Sequence, residues 1–169
     1  MSTFSQFLPN KLGSTLTVNS LTVNGITFCG STYCPIRDNP LGSRVEGGFL
    51  LCRSSTGLAI IVAPCCAEVR RNWYNSADAN TVAQACTGCT GWFVPSDVQL
   101  QNPGYGCRVH WDSYCDDPSG PCYYDHYWSD TEVVAIQGAA VCFSNGIPTC
   151  GGTGKGFVTN VRSFRCVSY

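Results

Sequence analysis

Apolar positions along this chain change their spacing several times, and each change marks a different kind of element. Near the N-terminus, Leu16-Thr-Val18-Asn-Ser20 is followed by Leu21-Thr-Val23-Asn-Gly25, a tandem five-residue repeat free of charge and of cysteine. Leu16 and Val18, then Leu21 and Val23, alternate with polar neighbours, which is the period of a strand with one apolar edge. The phase breaks at Asn19-Ser20. So narrow an edge is not stable in water by itself. Residues 1–28 are therefore expected to form an extended β arm that packs on another copy of itself or on a neighbouring protein. The alternative is the first strand of the main domain, which is expected over residues 29–169.

Within that domain the stretch from Cys29 to Glu46 is turn-rich, with Cys34-Pro35, Asn39-Pro40 and Leu41-Gly42. Two apolar runs, 48–52 and 57–63, predict a β-hairpin around Ser54-Ser55-Thr56. Residues 76–86 predict a helix: Ser76 is a capping residue, Asp78 suits the positive end, and Gly88 follows as a stop. A short second helix is predicted from Ser96, with Gln99 completing a capping box and Leu100 pointing inward. Residues 103–127 form a long Gly/Pro/aromatic loop. A strand over 133–143, a Ser144-Asn145-Gly146 turn and a last strand over 157–167 close the chain.

Composition narrows the function classes. Of 169 residues, 44% are hydrophobic, enough for a core, and only 12% are charged, about half the usual fraction. A net charge of −1 provides no electrostatic footprint for nucleic acid or an anionic membrane, so no nucleic acid is expected as a partner. Arg53 and the Ser54-Ser55-Thr56-Gly57 turn split the richest apolar stretch, so no membrane insertion is expected.

The thirteen cysteines change the picture most: Cys29, Cys34, Cys52, Cys65, Cys66, Cys86, Cys89, Cys107, Cys115, Cys122, Cys142, Cys150 and Cys166. Such density means metal clusters in a reducing compartment and a disulfide framework in an oxidising one. Zinc knuckles need paired ligands, yet Cys86-Thr-Gly-Cys89 is the one CxxC, and neither His110 nor His126 lies at finger spacing. Disulfides are thus expected and a metal is not. An odd count leaves one thiol free or bonded to another chain, and Cys29, where the arm meets the body, is a candidate for either state. The first residues, Met1-Ser-Thr-Phe-Ser-Gln-Phe-Leu-Pro9, lack the basic and apolar regions of a secretory signal. Assembly of a virus particle in a cell that later lyses is one route to oxidising conditions; a signal removed earlier is another.

Catalysis finds little support. No Gly-x-Ser-x-Gly elbow accompanies His110 or His126, although Asp125 or Asp130 could pair with His126. Cys86 falls at the end of its helix, whereas a redox-active CxxC places its first cysteine at a helix N-terminus. Adjacent Cys65 and Cys66 are expected to bond to two different partners. Asp112, Asp116, Asp117 and Asp125 offer oxygen ligands from one region, but solvated loop carboxylates are the ordinary case. Trp111, Tyr114, Tyr123, Tyr124, His126 and Tyr127 form the aromatic set expected to bind a ligand, by stacking on carbohydrate or as a protein hot spot. The bland alternative is that the rings cover a thin core.

Four ordered motifs carry a resemblance. They are Gly91-Trp92-Phe93-Val94-Pro95-Ser96 followed by Leu100; Tyr127-Trp128-Ser129-Asp130-Thr131-Glu132; Ala140-Val141-Cys142-Phe143 with Gly146; and Val161-Arg162-Ser163-Phe164-Arg165-Cys166-Val167. Over roughly residues 65–169 this series resembles the Lcl C-terminal, or DUF1566, domains. Gln99 and Asp130 depart from the usual acidic residue and second serine, and the cysteine density exceeds what the family shows. The resemblance implies a C-type-lectin-like α+β fold, an irregular mixed sheet with two short helices and long loops, of a kind used for adhesion on bacterial surfaces and phage tail fibres. It also implies that Trp92 and Trp128 are core aromatics and that Glu132 and Arg162 are partly buried partners. The repeat in the arm resembles, more weakly, the shaft and attachment segments of phage fibres.

The function expected is that of a non-enzymatic virion structural protein of tail-fibre or adhesin type, without cofactor. The arm would attach to other virion proteins, in a homo-oligomer (a trimer by preference) open to an intermolecular disulfide, while the C-terminal domain meets a host surface glycan. A capsid or tail decoration protein is the alternative, and a cell-envelope hydrolase a remote one.

Overall fold

The computed structural model describes residues 20–23, 26–29, 35–114, 125–149 and 152–169. Leu16, Val18, Cys34, Cys115, Asp116, Asp117, Cys122, Tyr123, Tyr124 and Cys150, singled out above, lie outside the described residues. Strands β1 (Ser20–Val23) and β2 (Ile26–Cys29) form an antiparallel hairpin in which Leu21 opposes Phe28 and Val23 opposes Ile26. The second copy of the repeat therefore pairs with the chain that follows it, and a boundary at residue 28 falls inside β2.

The rest is mixed α+β, with a few short helices and two five-stranded sheets. The single turn α1 (Pro35–Asp38) precedes β3 (Arg44–Val45), β4 (Gly48–Arg53) and β5 (Leu58–Val62), followed by β6 (Val69–Arg71), α2 (Asp78–Thr87), β7 (Trp92–Phe93) and α3 (Asp97–Gln99). The chain then forms β8 (His126–Val134), β9 (Gln137–Cys142), β10 (Thr153–Gly154), β11 (Thr159–Val161) and β12 (Phe164–Ser168). The first sheet has the order β3-β4-β5-β12-β7 and is antiparallel throughout. The second has the order β10-β9-β8-β11-β6, with β11 parallel to β8.

Strands β4 and β5 are covered on both faces, which is why their sequences read as near-continuous apolar runs. Leu50, Ala59 and Ile61 pack with Val45, Ala83 and Trp92, whereas Leu51 and Val62 pack with Trp111, Tyr127, Phe143 and Phe164. Helix α2 bridges the sheets through two small residues one turn apart: Ala83 joins the first cluster, and Ala79 packs with Val94, Trp128, Ala140 and Val161. The helix ends on Gly88 in the left-handed region (φ 70°), whose N–H returns to the Gln84 carbonyl at 2.8 Å. Its start differs from the expectation, because Ser76 accepts from Ala79 N–H through its carbonyl rather than its hydroxyl. The capping box at Ser96 and Gln99 forms with both hydrogen bonds, 3.2 and 2.9 Å, and Leu100 is buried.

Two predicted strands divide. The 133–143 segment belongs to a hairpin whose first strand, β8, begins at His126 inside the supposed loop, with a two-residue turn at Ala135-Ile136. No turn-forming residue marks that reversal. It is held instead from afar: Lys155 Nζ donates to the Ala135 carbonyl at 3.1 Å and Lys155 N–H to the Ile136 carbonyl at 3.0 Å. The 157–167 segment breaks at Arg162-Ser163, so that β11 completes the second sheet and β12 enters the first.

Arg162 turns inward at this crossing and is 1% exposed. Its Nη1 donates to the Ser113 carbonyl. Nε lies 3.4 Å from Glu68 Oε2 and Nη2 3.4 Å from Asp112 Oδ1, ion-pair separations longer than a hydrogen bond, and the guanidinium sits 5.1 Å above the Trp111 ring. The two carboxylates are anchored in turn, Glu68 by the Tyr127 hydroxyl at 2.7 Å and Asp112 by Cys65 N–H at 2.8 Å. Glu132 is no part of this network; itself exposed, it pairs with the buried Lys155 Nζ at 2.7 Å. Trp92 and Trp128 are core residues. Removing one partner of a buried charge pair leaves the others desolvated and unpaired, at ~3–5 kcal/mol. Arg162→Ala is therefore expected to lose that much stability in urea unfolding, against a few tenths for the exposed Arg37→Ala.

Candidate functional site

The aromatic residues predicted to bind a ligand separate into different environments. Trp111 is 6% exposed and Tyr127 is not exposed at all. Trp111 packs against Tyr127, Phe143 and Phe164 with ring centroids 5.6, 5.0 and 6.0 Å apart, so these two rings build the core rather than a surface platform. Tyr114 is half-buried on the same cluster, 6.5 Å from Trp111. His126 is half-buried, with Nδ1 2.7 Å from Asp125 Oδ1. A thin core between two sheets needs large flat side chains, and it recruits them from the loop that covers it.

An aromatic surface exists elsewhere. A groove of about 390 Å³ opens where the turn Trp73–Asn75, the start of α2, β7 and β8 meet. It is lined by Trp73, Tyr74, Phe93, Asn80 and Asp130 together with Ser76, Ala77 and Val94. Tyr74 is 64% exposed and meets the edge of Trp73 at 6.1 Å and 84°. Trp73 is held on its other sides. A Cβ at Gly138 would fall 2.3 Å from its Cδ1, so only glycine lets the indole lie against β9, and Lys155 Nζ sits 4.2 Å from the ring centroid. The turn itself is fixed by Asn72, whose side chain accepts from Asn75 N–H at 3.1 Å. Asn80 is oriented by the Ser163 hydroxyl at 2.7 Å. The groove thus combines an immobilised indole, a solvent-facing phenol, an oriented amide and an exposed carboxylate. The sequence signal for it, Asn72-Trp73-Tyr74-Asn75 just before a helix, is faint beside the richer aromatic run at 111–127.

The cysteines also depart from expectation. Cys66 and Cys86 form a disulfide (S–S 2.00 Å) that ties the turn Cys65–Ala67 to α2. Among the described residues, Cys52, Cys65, Cys89, Cys107, Cys142 and Cys166 are free thiols, so Cys65 lacks the expected second partner and Cys86 does not pair with Cys89. Register shows why two of them stay apart: Cys52 on β4 and Cys166 on β12 both face Ile60 of the intervening β5. Two strand spacings, roughly 10 Å, exceed the Cα separation a disulfide spans.

Asp125 and Cys142 are both buried, and Cys142 donates to Asp125 Oδ2 at 3.0 Å. Asp112 and Asp125 do not share a site, because Asp112 faces Arg162 and Asp125 faces His126 and Cys142. No family model matches this chain, and no curated protein matches it.

The carboxylates beside Arg162 are driven in opposite directions. Burial pushes Glu68 above the usual carboxylate range and outweighs Arg162 and the Tyr127 hydroxyl. At Asp112 burial also pushes upward, but hydrogen bonds from Cys65, the Arg162 charge and the Ser113 N–H together hold it below its ordinary value. A depressed carboxylate stabilises the fold above its unfolded pKa and loses that contribution as pH falls through the folded one; a raised carboxylate behaves the opposite way. Melting temperature is expected to drop as pH falls below about 4, the ordinary Asp value. Asp112→Asn should shrink that drop and lower stability at neutral pH, and Glu68→Gln should flatten the profile on the alkaline side of the ordinary Glu value of about 4, as read by calorimetric melts across pH.

Proposed function

We propose that this chain is a non-catalytic binding domain of a virion fibre or adhesin, whose groove at Trp73 and Tyr74 takes a host surface glycan. The observation that carries the reading is the composition of that groove, in which an exposed aromatic face stands beside Asn80 and Asp130. Saccharides present apolar C–H faces and a rim of hydroxyls, and such a surface complements both. A large aromatic ring supplies contact area at little entropic penalty, which is why such rings act as anchors. The C-type-lectin-like arrangement implied by the sequence motifs is part of the same reading. It is supported by the mixed sheets, the short helices and the burial of Trp92 and Trp128.

Residues 1–28 serve in this reading as the attachment arm to other virion proteins, and the working unit is a homo-oligomer, by preference a trimer. Self-association is supported by apolar side chains left in solvent around the β8–β9 turn. Val133, Val134 and Ile136 are 43%, 49% and 73% exposed, and the neighbouring Gly152 approaches Val133 closely. Exposed apolar patches of this kind mark interaction surfaces.

Binding of the full chain to a panel of bacterial surface polysaccharides, followed by calorimetry on any that bind, tests the glycan reading. Tyr74→Ala should weaken affinity at least ~10-fold, about 1.4 kcal/mol, and Val98→Ala, on exposed α3, should not. Binding to no saccharide, or equal binding by both variants, would sink it. For assembly, light scattering should give a trimer mass that Ile136→Asp reduces to that of one chain.

A further inference from the structure

The groove does not use the most chemically distinctive cluster among the described residues. Asp125, His126 and Cys142 place one carboxylate oxygen, one ring nitrogen and one sulfur within 4.8 Å of one another. Two of the three are set by the sheet: His126 on β8 and Cys142 on β9 are direct antiparallel partners. Asp125 is the residue before β8, and its backbone carbonyl accepts from Phe143 N–H at 2.7 Å, so it is locked to the end of β9 as well. Its oxygens reach both neighbours, with Oδ1 2.7 Å from His126 Nδ1 and Oδ2 3.0 Å from Cys142 Sγ. Ser144 Oγ lies 2.9 Å from the same sulfur. Asp125 and Cys142 are each 8% exposed and the His126 side chain 17%, so the donors converge just beneath the protein surface.

We propose that Asp125, His126 and Cys142 form a binding site for a zinc-class divalent cation. Sulfur, imidazole nitrogen and carboxylate oxygen together suit zinc; calcium and magnesium take oxygen ligands and would reject the thiolate. Zinc bonds of ~2.0–2.3 Å put tetrahedral ligand atoms roughly 3.3–3.8 Å apart. The three donors therefore need to move by no more than about an ångström around the ion. Charge balances: one thiolate and one carboxylate neutralise the dication, with His126 neutral. Binding exchanges the Cys142 thiol proton for the metal, so one proton leaves to solvent and affinity falls with falling pH. The fourth position belongs to water or to the Ser144 hydroxyl. The ion clamps the entrance of β8 to the end of β9, and it stabilises the folded chain according to its concentration over Kd. None of the groove residues is a ligand, so glycan binding and metal binding stand or fall separately.

The full chain, freed of metal by a chelator and dialysed, tests this with zinc alone. Calorimetric titration and metal analysis after gel filtration should show one zinc per chain and a melting temperature that rises with zinc. Cys142→Ser and His126→Gln should each lose at least 10-fold in affinity, whereas Cys65→Ser and Cys166→Ser should bind as the parent does. Cobalt(II) on the unmodified chain supplies a readout independent of how the variants fold, since a tetrahedral thiolate site produces an intense charge-transfer band. Absence of stoichiometric zinc, a cobalt spectrum without that band, loss of binding in the Cys65 or Cys166 variants instead, or Cys142 recovered in a disulfide by mass spectrometry would each overturn the proposal.

Discussion

The closing strand of this domain has to leave one sheet and enter another, and the residue at the crossing is an arginine with no route to solvent. Arg162 is buried with Glu68, Asp112 and the Ser113 carbonyl gathered around its guanidinium. Those groups come from two separate parts of the chain, so satisfying one charge fixes the segment before β6 and the loop before β8 to the C-terminal crossing. Asp112 passes the constraint to Cys65, and Glu68 passes it to Tyr127 at the start of β8. A charge in low dielectric is tolerable only when paired, so this corner has one geometry in which the chain folds without a large desolvation penalty. The Cys66–Cys86 bond then staples the neighbouring turn to α2, close to where the network begins.

Aromatic residues are divided between core and surface by the same constraint. The guanidinium draws Trp111 beneath the loop, where it meets Tyr127, Phe143 and Phe164. Trp73 is held by contacts of another kind, with Gly138 under its ring and the Lys155 ammonium over it. Lys155 has a double role, since the same buried amine neutralises Glu132 and fixes the turn between β8 and β9. Tyr74, next in the chain, is left facing solvent beside polar groups that are already oriented. β8 thus begins at the Asp125–His126–Cys142 cluster and runs past Asp130 on the groove, so this one strand, whose first two residues are expected in the loop, touches both.

Local signals were legible wherever a residue acts on its own neighbours. The Ser96–Gln99 capping box, the Gly88 stop after α2, the hairpin of β4 and β5 and the inward Leu100 all rest on interactions within a few residues, and all of them formed. The mixed α+β class was legible for the same reason. What failed depended on distant partners. No residue near Ala135-Ile136 announces a turn, because Lys155 makes it; no pattern at 157–167 announces a break, because the break exists to bury Arg162 among residues 49 and more positions away. Aromatic spacing does not reveal whether a ring meets another ring or water, so it does not separate the buried Trp111 and Tyr127 from Trp73 and Tyr74 on the groove. The cysteine count does not reveal which thiols pair, since pairing requires a Cα separation that only the folded sheets decide, and among the described residues one disulfide forms beside six free thiols. The sequence by itself therefore determined the main helices and the β4–β5 hairpin, the Ser96 capping box, the Gly88 stop and the apolar runs. Only the tertiary structure decided which charges are buried, which rings face solvent and which thiols meet, because each of those is a contact between residues far apart in the chain.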